Sequence, residues 1–244
     1  PLHTAAYVGP VEIAQFFLTH GADVNKTSKP ISQDVYDVQE TALHVAAGAG
    51  RLPMVQFLVE HGADVNAECL WIYDSTPLHS AVHSGNVEIV AYLIDHGATA
   101  KDIPGAVPLV VTACKHKNTE ILELLLHHGY DVNEQGGKDG ITGLTTAVQY
   151  GHEEQVKYLL EAHADPNMVD GKRLSPLQMA AQENNVAIAA LLIEHGADIN
   201  YADINYIDYT YRSVLDTALD HEQEEMVAFL RAQGAQQSQG TEAE

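Results

Sequence analysis

The chain of 244 residues carries 12 Lys and Arg against 34 Asp and Glu, a formal charge of −22 at pH 7 with His neutral. An excess of this size repels phosphate backbones and anionic headgroups, which argues against nucleic-acid binding and membrane attachment through basic patches and favours a partner with a basic or mixed surface. With 45% hydrophobic residues the chain can bury a core, and its longest clean apolar stretch, Val186 to Ile193, falls well short of the roughly 18 residues that cross a bilayer. Two cysteines, Cys69 and Cys114, are too few for a disulfide framework, so a reducing compartment, the cytoplasm, is expected. The opening Pro-Leu-His, with no charged-then-apolar leader, reads as a fragment.

The organisation is periodic. An apolar frame residue recurs at Leu2, Leu43, Leu78, Val110, Leu144, Leu177 and Leu215, at intervals of 41, 35, 32, 34, 33 and 38. Three residues on stands Ala in every copy: Ala5, Ala46, Ala81, Ala113, Ala147, Ala180 and Ala218. A small residue there predicts close approach of two helices.

The first copy, 1–25, reads as a short helix, a break at Gly9, a second helix carrying Phe16 and Phe17, and a turn Gly21-Ala22-Asp23-Val24-Asn25. The same plan follows at 41–66, 76–101, 108–133, 142–167, 175–200 and 213–235, with break glycines Gly50, Gly85 and Gly151 and turn glycines from Gly62 to Gly234. Both glycine series are expected in the left-handed conformation that ends a helix. The knobs Phe17, Leu58, Leu93, Leu125, Leu159, Leu192 and Leu230, and the position before each, are assigned to the core. Between copies lie three longer connections, 26–38, 67–74 and 201–211, which hold six of the eleven tyrosines and the one Trp. Alternation such as Val35 with Asp37, or Ile204 with Tyr206, predicts two-stranded fingers. The tail, 236–244, is expected to be disordered.

Thr76-Pro77-Leu78-His79 and Thr41-Ala42-Leu43-His44, on this period, resemble the ankyrin repeat family from residue 1 to about 235. Departures grow toward the C-terminus: the signature His becomes Val111, Thr145, Gln178 and Asp216, the break glycine becomes Lys117, Asn184 and Glu222, and one turn glycine becomes His163. Each is expected to weaken local stability.

The resemblance implies an all-α repeat solenoid, a curved stack of helix pairs whose hairpin tips and first helices form a concave partner-binding face. It further implies a monomeric, non-catalytic protein-interaction module without a cofactor. Mapped onto this chain, the family's contact positions give Asp37, Val38, Glu40, Ile72, Tyr73, His83, His116, Tyr150, Tyr209 and Arg212, with Ser75, Lys115, Lys138, Asp139, Gln149, Lys172, Gln182, Glu183, Asp220 and His221 beside them. Trp71, Tyr206 and Tyr211 join them as finger aromatics. Aromatic side chains dominate binding hot spots, so these fingers either present a recognition surface or pack on one another to stiffen longer hairpins. Two further readings stay open: a targeting or regulatory segment of a larger enzyme or channel, and a pathogen effector acting in a host cytosol.

Fourteen histidines invite a metal or catalytic reading, yet His20, His61, His96, His128 and His195 all precede the turn glycine, and His3, His44 and His79 all occupy the signature, where the resemblance implies bonds to neighbouring turns. Repetition marks them as structural. His79 and His83 lie four apart on one helix, and two ligands alone make a weak zinc site, so no metal is assigned. No Gly-x-Ser-x-Gly elbow, phosphate loop or His-Glu-x-x-His helix occurs, and no catalytic residue is assigned. Cys114 is expected as a buried inert thiol, and Cys69 as a finger residue open to reaction. The turn asparagines Asn25, Asn66 and Asn133 resemble the site that asparaginyl hydroxylases modify in this family.

Overall fold

The computed structural model describes residues 1–28, 39–69, 76–99, 107–137, 139–204 and 211–238. These form seven helix pairs: α1 (Leu2–Val8) with α2 (Val11–Thr19), α3 (Ala42–Gly48) with α4 (Leu52–Glu60), α5 (Pro77–Ser84) with α6 (Val87–Asp95), α7 (Leu109–Ala113) with α8 (Glu120–His127), α9 (Gly143–Gln149) with α10 (Glu153–Glu161), α11 (Pro176–Gln182) with α12 (Val186–Glu194), and α13 (Val214–Asp220) with α14 (Glu224–Ala232). A two-stranded antiparallel sheet, β1 (Ala202–Ile204) and β2 (Tyr211–Ser213), leads into α13 with Ala202 opposite Ser213.

Two compact units divide the chain, one comprising Pro1–Ala113 and Glu120–His128, the other Cys114–Thr119 and Gly129–Glu244. In the first, α3 packs between α1 and α5, and α7 follows on α5, while α2, α4, α6 and α8 stack in a second row. In the second, α9, α11 and α13 form one row and α10, α12 and α14 the other. Helices of five to nine residues are too short to persist alone, so stability comes from neighbouring interfaces. The recurring alanines sit at those interfaces, and all seven are buried. The knobs from Leu58 to Leu230 are buried as expected, and Phe17 is half-buried.

Capping explains how such short helices start where they do. In α9, Thr142 N–H donates to Thr145 Oγ1 at 2.9 Å while Thr145 N–H donates to Thr142 Oγ1 at 3.1 Å. Ser175 and Gln178 exchange the same pair of bonds before α11, and so do Ser213 and Asp216 before α13. Thr41 N–H likewise donates to His44 Nδ1 at 3.3 Å. Thr145, Gln178 and Asp216, which stand where the signature has His, therefore keep its capping function, contrary to the expectation that they weaken the repeat. Val111, the apolar departure, is buried instead, in the five-residue α7.

Three other expectations change. Gly9 has an extended backbone, φ −81°, and a Cβ there would lie 2.8 Å from Ala5 Cα, so close approach and not handedness selects glycine. Gly50, Gly85 and Gly151 do take positive φ, and Asn184 (53°) and Glu222 (55°) are held in the same region without being glycine. The position before each knob is core only at Phe57; Phe16 is exposed, and Tyr92, Leu124, Tyr158, Leu191 and Phe229 are half-exposed. The rings of Phe16, Phe57 and Tyr92 lie over those of His20, His61 and His96, with centroids 4.0 to 4.1 Å apart. Finally, the tail is tied down at its start, where Gln236 N–H donates to Asn200 Oδ1 at 2.9 Å and Ser238 donates to the Asp216 carboxylate from its backbone N–H and its hydroxyl.

Candidate partner-binding surface

The turns between repeats are wired by the Asp-x-Asn strings. Asn25 donates to Gly62 O and accepts from Asp64 N–H; Asn66 does the same with Gly97 O and Thr99 N–H. In the second unit Asn167 donates to Gly196 O at 3.1 Å and accepts from Asp198 N–H at 2.7 Å. Both amide atoms are thereby committed to backbone. The turn histidines are equally occupied: His20, His61, His96, His128 and His195 each bond through Nδ1 to the carbonyl four residues back, at 2.7 to 2.9 Å. His3 Nε2 lies 2.9 Å from Glu40 O, the neighbouring-turn bond the sequence implied.

Side chains are accessible at the end of each first helix, five and six residues after the frame position. There the chain leaves the inter-repeat interface, so side chains meet solvent. In the first unit these are Tyr7 and Val8, 62% and 69% exposed, then Gly48 and Ala49, then His83 and Ser84. In the second unit they are Lys115 and His116, Gln149 and Tyr150, Gln182 and Glu183, and Asp220 and His221. Tyr150 is 53% exposed, its ring 5.6 Å from that of His152. The segment below it is pinned, because Gln155 Nε2 donates to His116 O at 2.7 Å and to Asn118 O at 3.0 Å, and His152 Nδ1 lies 3.1 Å from Cys114 O. Arg212 and Asp220 form an ion pair that balances charge at that end of the row.

The family profile for Ankyrin repeats (3 copies) matches residues 70–136, 109–203 and 144–240, that for Ankyrin repeats (many copies) matches 43–94, and that for a single Ankyrin repeat matches 1–29. The chain belongs to the ankyrin repeat family. Its helix pairs superpose on the crystal structure of the human ASB11 ankyrin repeat domain with a TM-score of 0.78 and 28% identity, covering 95% of this chain and 97% of that one. Among curated relatives it is 37% identical over 92 residues to the B-cell lymphoma 3 protein homolog of Mus musculus, 36% of this chain and 20% of that protein. It is 35% identical over 104 residues to glycerophosphocholine phosphodiesterase gde1 of Schizosaccharomyces pombe, 42% of this chain and 9% of that one. The chain thus spans a small part of the curated relatives it matches.

Against this ankyrin frame the predicted contact residues separate. Asp37, Val38, Trp71, Ile72, Tyr73, Tyr206 and Tyr209 lie outside the described residues, as do Ser75 and Lys138, and of Tyr211 only the backbone, in β2, is described. Glu40 is half-buried and its carbonyl is taken by Ser28 N–H at 2.8 Å and by His3. His83 is exposed, His116 half-buried and Tyr150 exposed. Tyr7 and Val8 escaped the sequence-based list, although their offset from Leu2 is that of Gln149 and Tyr150 from Leu144.

Two chemical expectations are altered or sharpened. Cys69 is buried, contrary to its assignment as an open finger thiol. Cys114 is fully buried, and desolvation pushes its thiol far above the ordinary range, which makes it inert. His79 is buried with Nδ1 2.8 Å from Thr76 Oγ1, and burial lowers its pKa to about 4, while His83 faces solvent, so the two do not share a metal-binding pocket. Among the described residues no three His, Cys, Asp or Glu converge. No helix among them is long and apolar enough to cross a membrane.

Proposed function

We propose that the chain is a non-catalytic protein-binding module that holds a partner through the ends of its first helices and through the aromatic residues of its long connections. The observation that carries this reading is Tyr150, a large aromatic side chain 53% exposed on a rigid helix end whose neighbours are polar. Tyrosine offers wide contact area at low rotamer cost, and such residues supply about 2 kcal/mol or more each at interface hot spots. His116 and Arg212 are assigned polar contacts within the second unit and His83 within the first, and the same partner-binding role is assigned to Trp71, Ile72, Tyr73, Tyr206, Tyr209 and Tyr211 and to Asp37, Val38 and Glu40. The charge of −22 favours a partner with a basic or mixed surface, drawn in by the long-range field.

A second reading, a regulatory segment of a larger enzyme, draws support from the match to 9% of a phosphodiesterase. A photo-crosslinking residue placed at Tyr150 or at Lys157, on the exposed side of α10, tests the first reading in extracts of the source cells. Protein adducts at 150 and none at 157 are expected; adducts at 157 alone, or equal labelling, contradict it.

A further inference from the structure

In the second unit the ends of the first helices are fixed side by side in one row. His152 Nδ1 lies 3.1 Å from Cys114 O, and Gln155 Nε2 donates to His116 O and Asn118 O, so the segment 114–119 is held beside the α9–α10 junction. The ring of Tyr150 is on that junction, 5.6 Å from the ring of His152. A Cβ on Gly151 would come 3.9 Å from Asn185 Nδ2, which sets the α11–α12 junction next in the row. Gln223 Nε2 donates to Gln182 O at 3.5 Å, which adds the α13–α14 junction.

Charge changes sign along this row. The segment 114–119 brings Lys115, half-buried, and Lys117, exposed. The next junction presents only Gln149 and Tyr150, both exposed and uncharged. Exposed Glu183 follows, and then exposed Asp220 and Glu222, of which Asp220 is paired with Arg212. The carboxylates nearest to Tyr150 in sequence, Glu153 and Glu154, line a groove between α10 and α12 together with Leu191 and Glu194. A chain of charge −22 therefore gives the exposed aromatic of its second unit one positive flank and one negative flank. Like charges brought together across an interface are penalised, so such a row selects the order of charges in a chain laid along it.

We propose that this row takes an extended segment of the partner protein with the complementary charge order: Asp or Glu over Lys115 and Lys117, an apolar side chain on the ring of Tyr150, and Lys or Arg over Glu183 and Glu222. Resting on the reading that the first-helix ends bind a partner, the assignment narrows that partner from a basic or mixed surface to a mixed one of fixed order. Packed helices lie roughly 8–10 Å apart and an extended chain advances about 3.3 Å per residue, so side chains about three residues apart match neighbouring junctions. A uniformly basic segment, which the total charge alone would favour, meets Lys115 and Lys117. A uniformly acidic one meets Glu183 and Glu222.

The test is selection from a displayed library of random linear peptides on the 244-residue chain, repeated on Tyr150→Ser, Lys117→Glu and Glu183→Lys, all at exposed positions. Peptides that bind wild type and not Tyr150→Ser are expected to carry Asp or Glu about three residues to one side of an apolar residue and Lys or Arg about three to the other. A synthetic copy of such a peptide is expected to bind Lys117→Glu about fivefold or more weakly than wild type, and a copy with Lys in place of its acidic residues is expected to regain the loss. Glu183→Lys is expected to show the same loss, regained when the basic residues of the peptide become Glu. Tyr150-dependent peptides of uniform charge, or ones whose charges can be exchanged without effect, overturn the charge order and leave Tyr150 as a binding residue. Peptides that bind Tyr150→Ser as well as wild type, or a selection that enriches none, overturn the reading of the first-helix ends and the charge order with it.

Discussion

The side-chain amide of Gln155 donates to the backbone carbonyl of His116 across 39 residues at 2.7 Å, joining the start of α10 to the segment 114–119. Gln155 is fully buried at a position where Met54, Ile89, Ile121, Ile188 and Met226 are buried in five other repeats. Removing a donor from a buried acceptor costs about 1–3 kcal/mol, even though an apolar replacement recovers some burial. Gln155→Leu is therefore expected to lower the unfolding midpoint by several degrees and to speed amide exchange in 115–119. A Gln155→Leu protein as stable as wild type would show that the bond contributes nothing net.

Asn167 makes a second cross-repeat connection, with both amide atoms bonded to the turn before α13's approach strand. Asn167→Ala deletes both bonds, and for a chain of this size a loss of about 1–3 kcal/mol lowers the midpoint by about 2–4 °C per kcal/mol. Thermal unfolding of the variant checks the size, and Asn167→Asp, which keeps the acceptor to Asp198 N–H, is expected to fall between the two.

How far these connections could be read in advance differs with their physics. The helix pairs, the alanine interface and the structural role of the histidines were legible, because each residue type recurs at one offset and the same force acts in every copy. The capping role of Thr145, Gln178 and Asp216 was not, since three different side chains perform one hydrogen-bonding task and look like losses of His. Gly9 was misread because a glycine required by Ala5 and one required by positive φ are the same letter. Tyr7 and Val8 were missed because exposure depends on what lies beside a residue, although their spacing from Leu2 marked the place.

Glu222 sits at φ 55° where three other copies have a positive-φ glycine, Gly50, Gly85 and Gly151. A side chain with a Cβ pays about 1–2 kcal/mol in that region. Glu222→Gly is expected to raise the unfolding midpoint by a few degrees, offset partly by the entropy of glycine in the unfolded chain. A lower midpoint would mean that the glutamate makes a contact outweighing the strain.

Two groups, the buried His79 and the half-buried Asp216, give acid sensitivity in separate windows. His79, with its pKa lowered from 6.5 to about 4 by desolvation, is neutral in the fold and charges first in the unfolded chain. Its contribution is full above pH 6.5 and is lost as pH falls from there toward 4, by up to roughly 3 kcal/mol. Asp216 follows at lower pH: burial raises its pKa, but the bonds from Ser238 and Ser213 outweigh burial and hold the carboxyl below its usual value, so its contribution is lost as pH falls through that lowered value. Chemical denaturation at pH 7 and pH 5 is expected to show the first loss, and His79→Gln is expected to flatten the profile between them.

The central claim is that the exposed first-helix ends bind a partner, and Tyr150 carries it. With a crosslinked partner in hand, the decisive measurement is its Kd for wild type, Tyr150→Ser and Lys157→Ser. The account predicts a weakening of about 30-fold or more for Tyr150→Ser, the equivalent of about 2 kcal/mol, and less than about twofold for Lys157→Ser. Equal affinity for wild type and Tyr150→Ser, with loss at Lys157→Ser, would contradict it and move the interface to the α10 side.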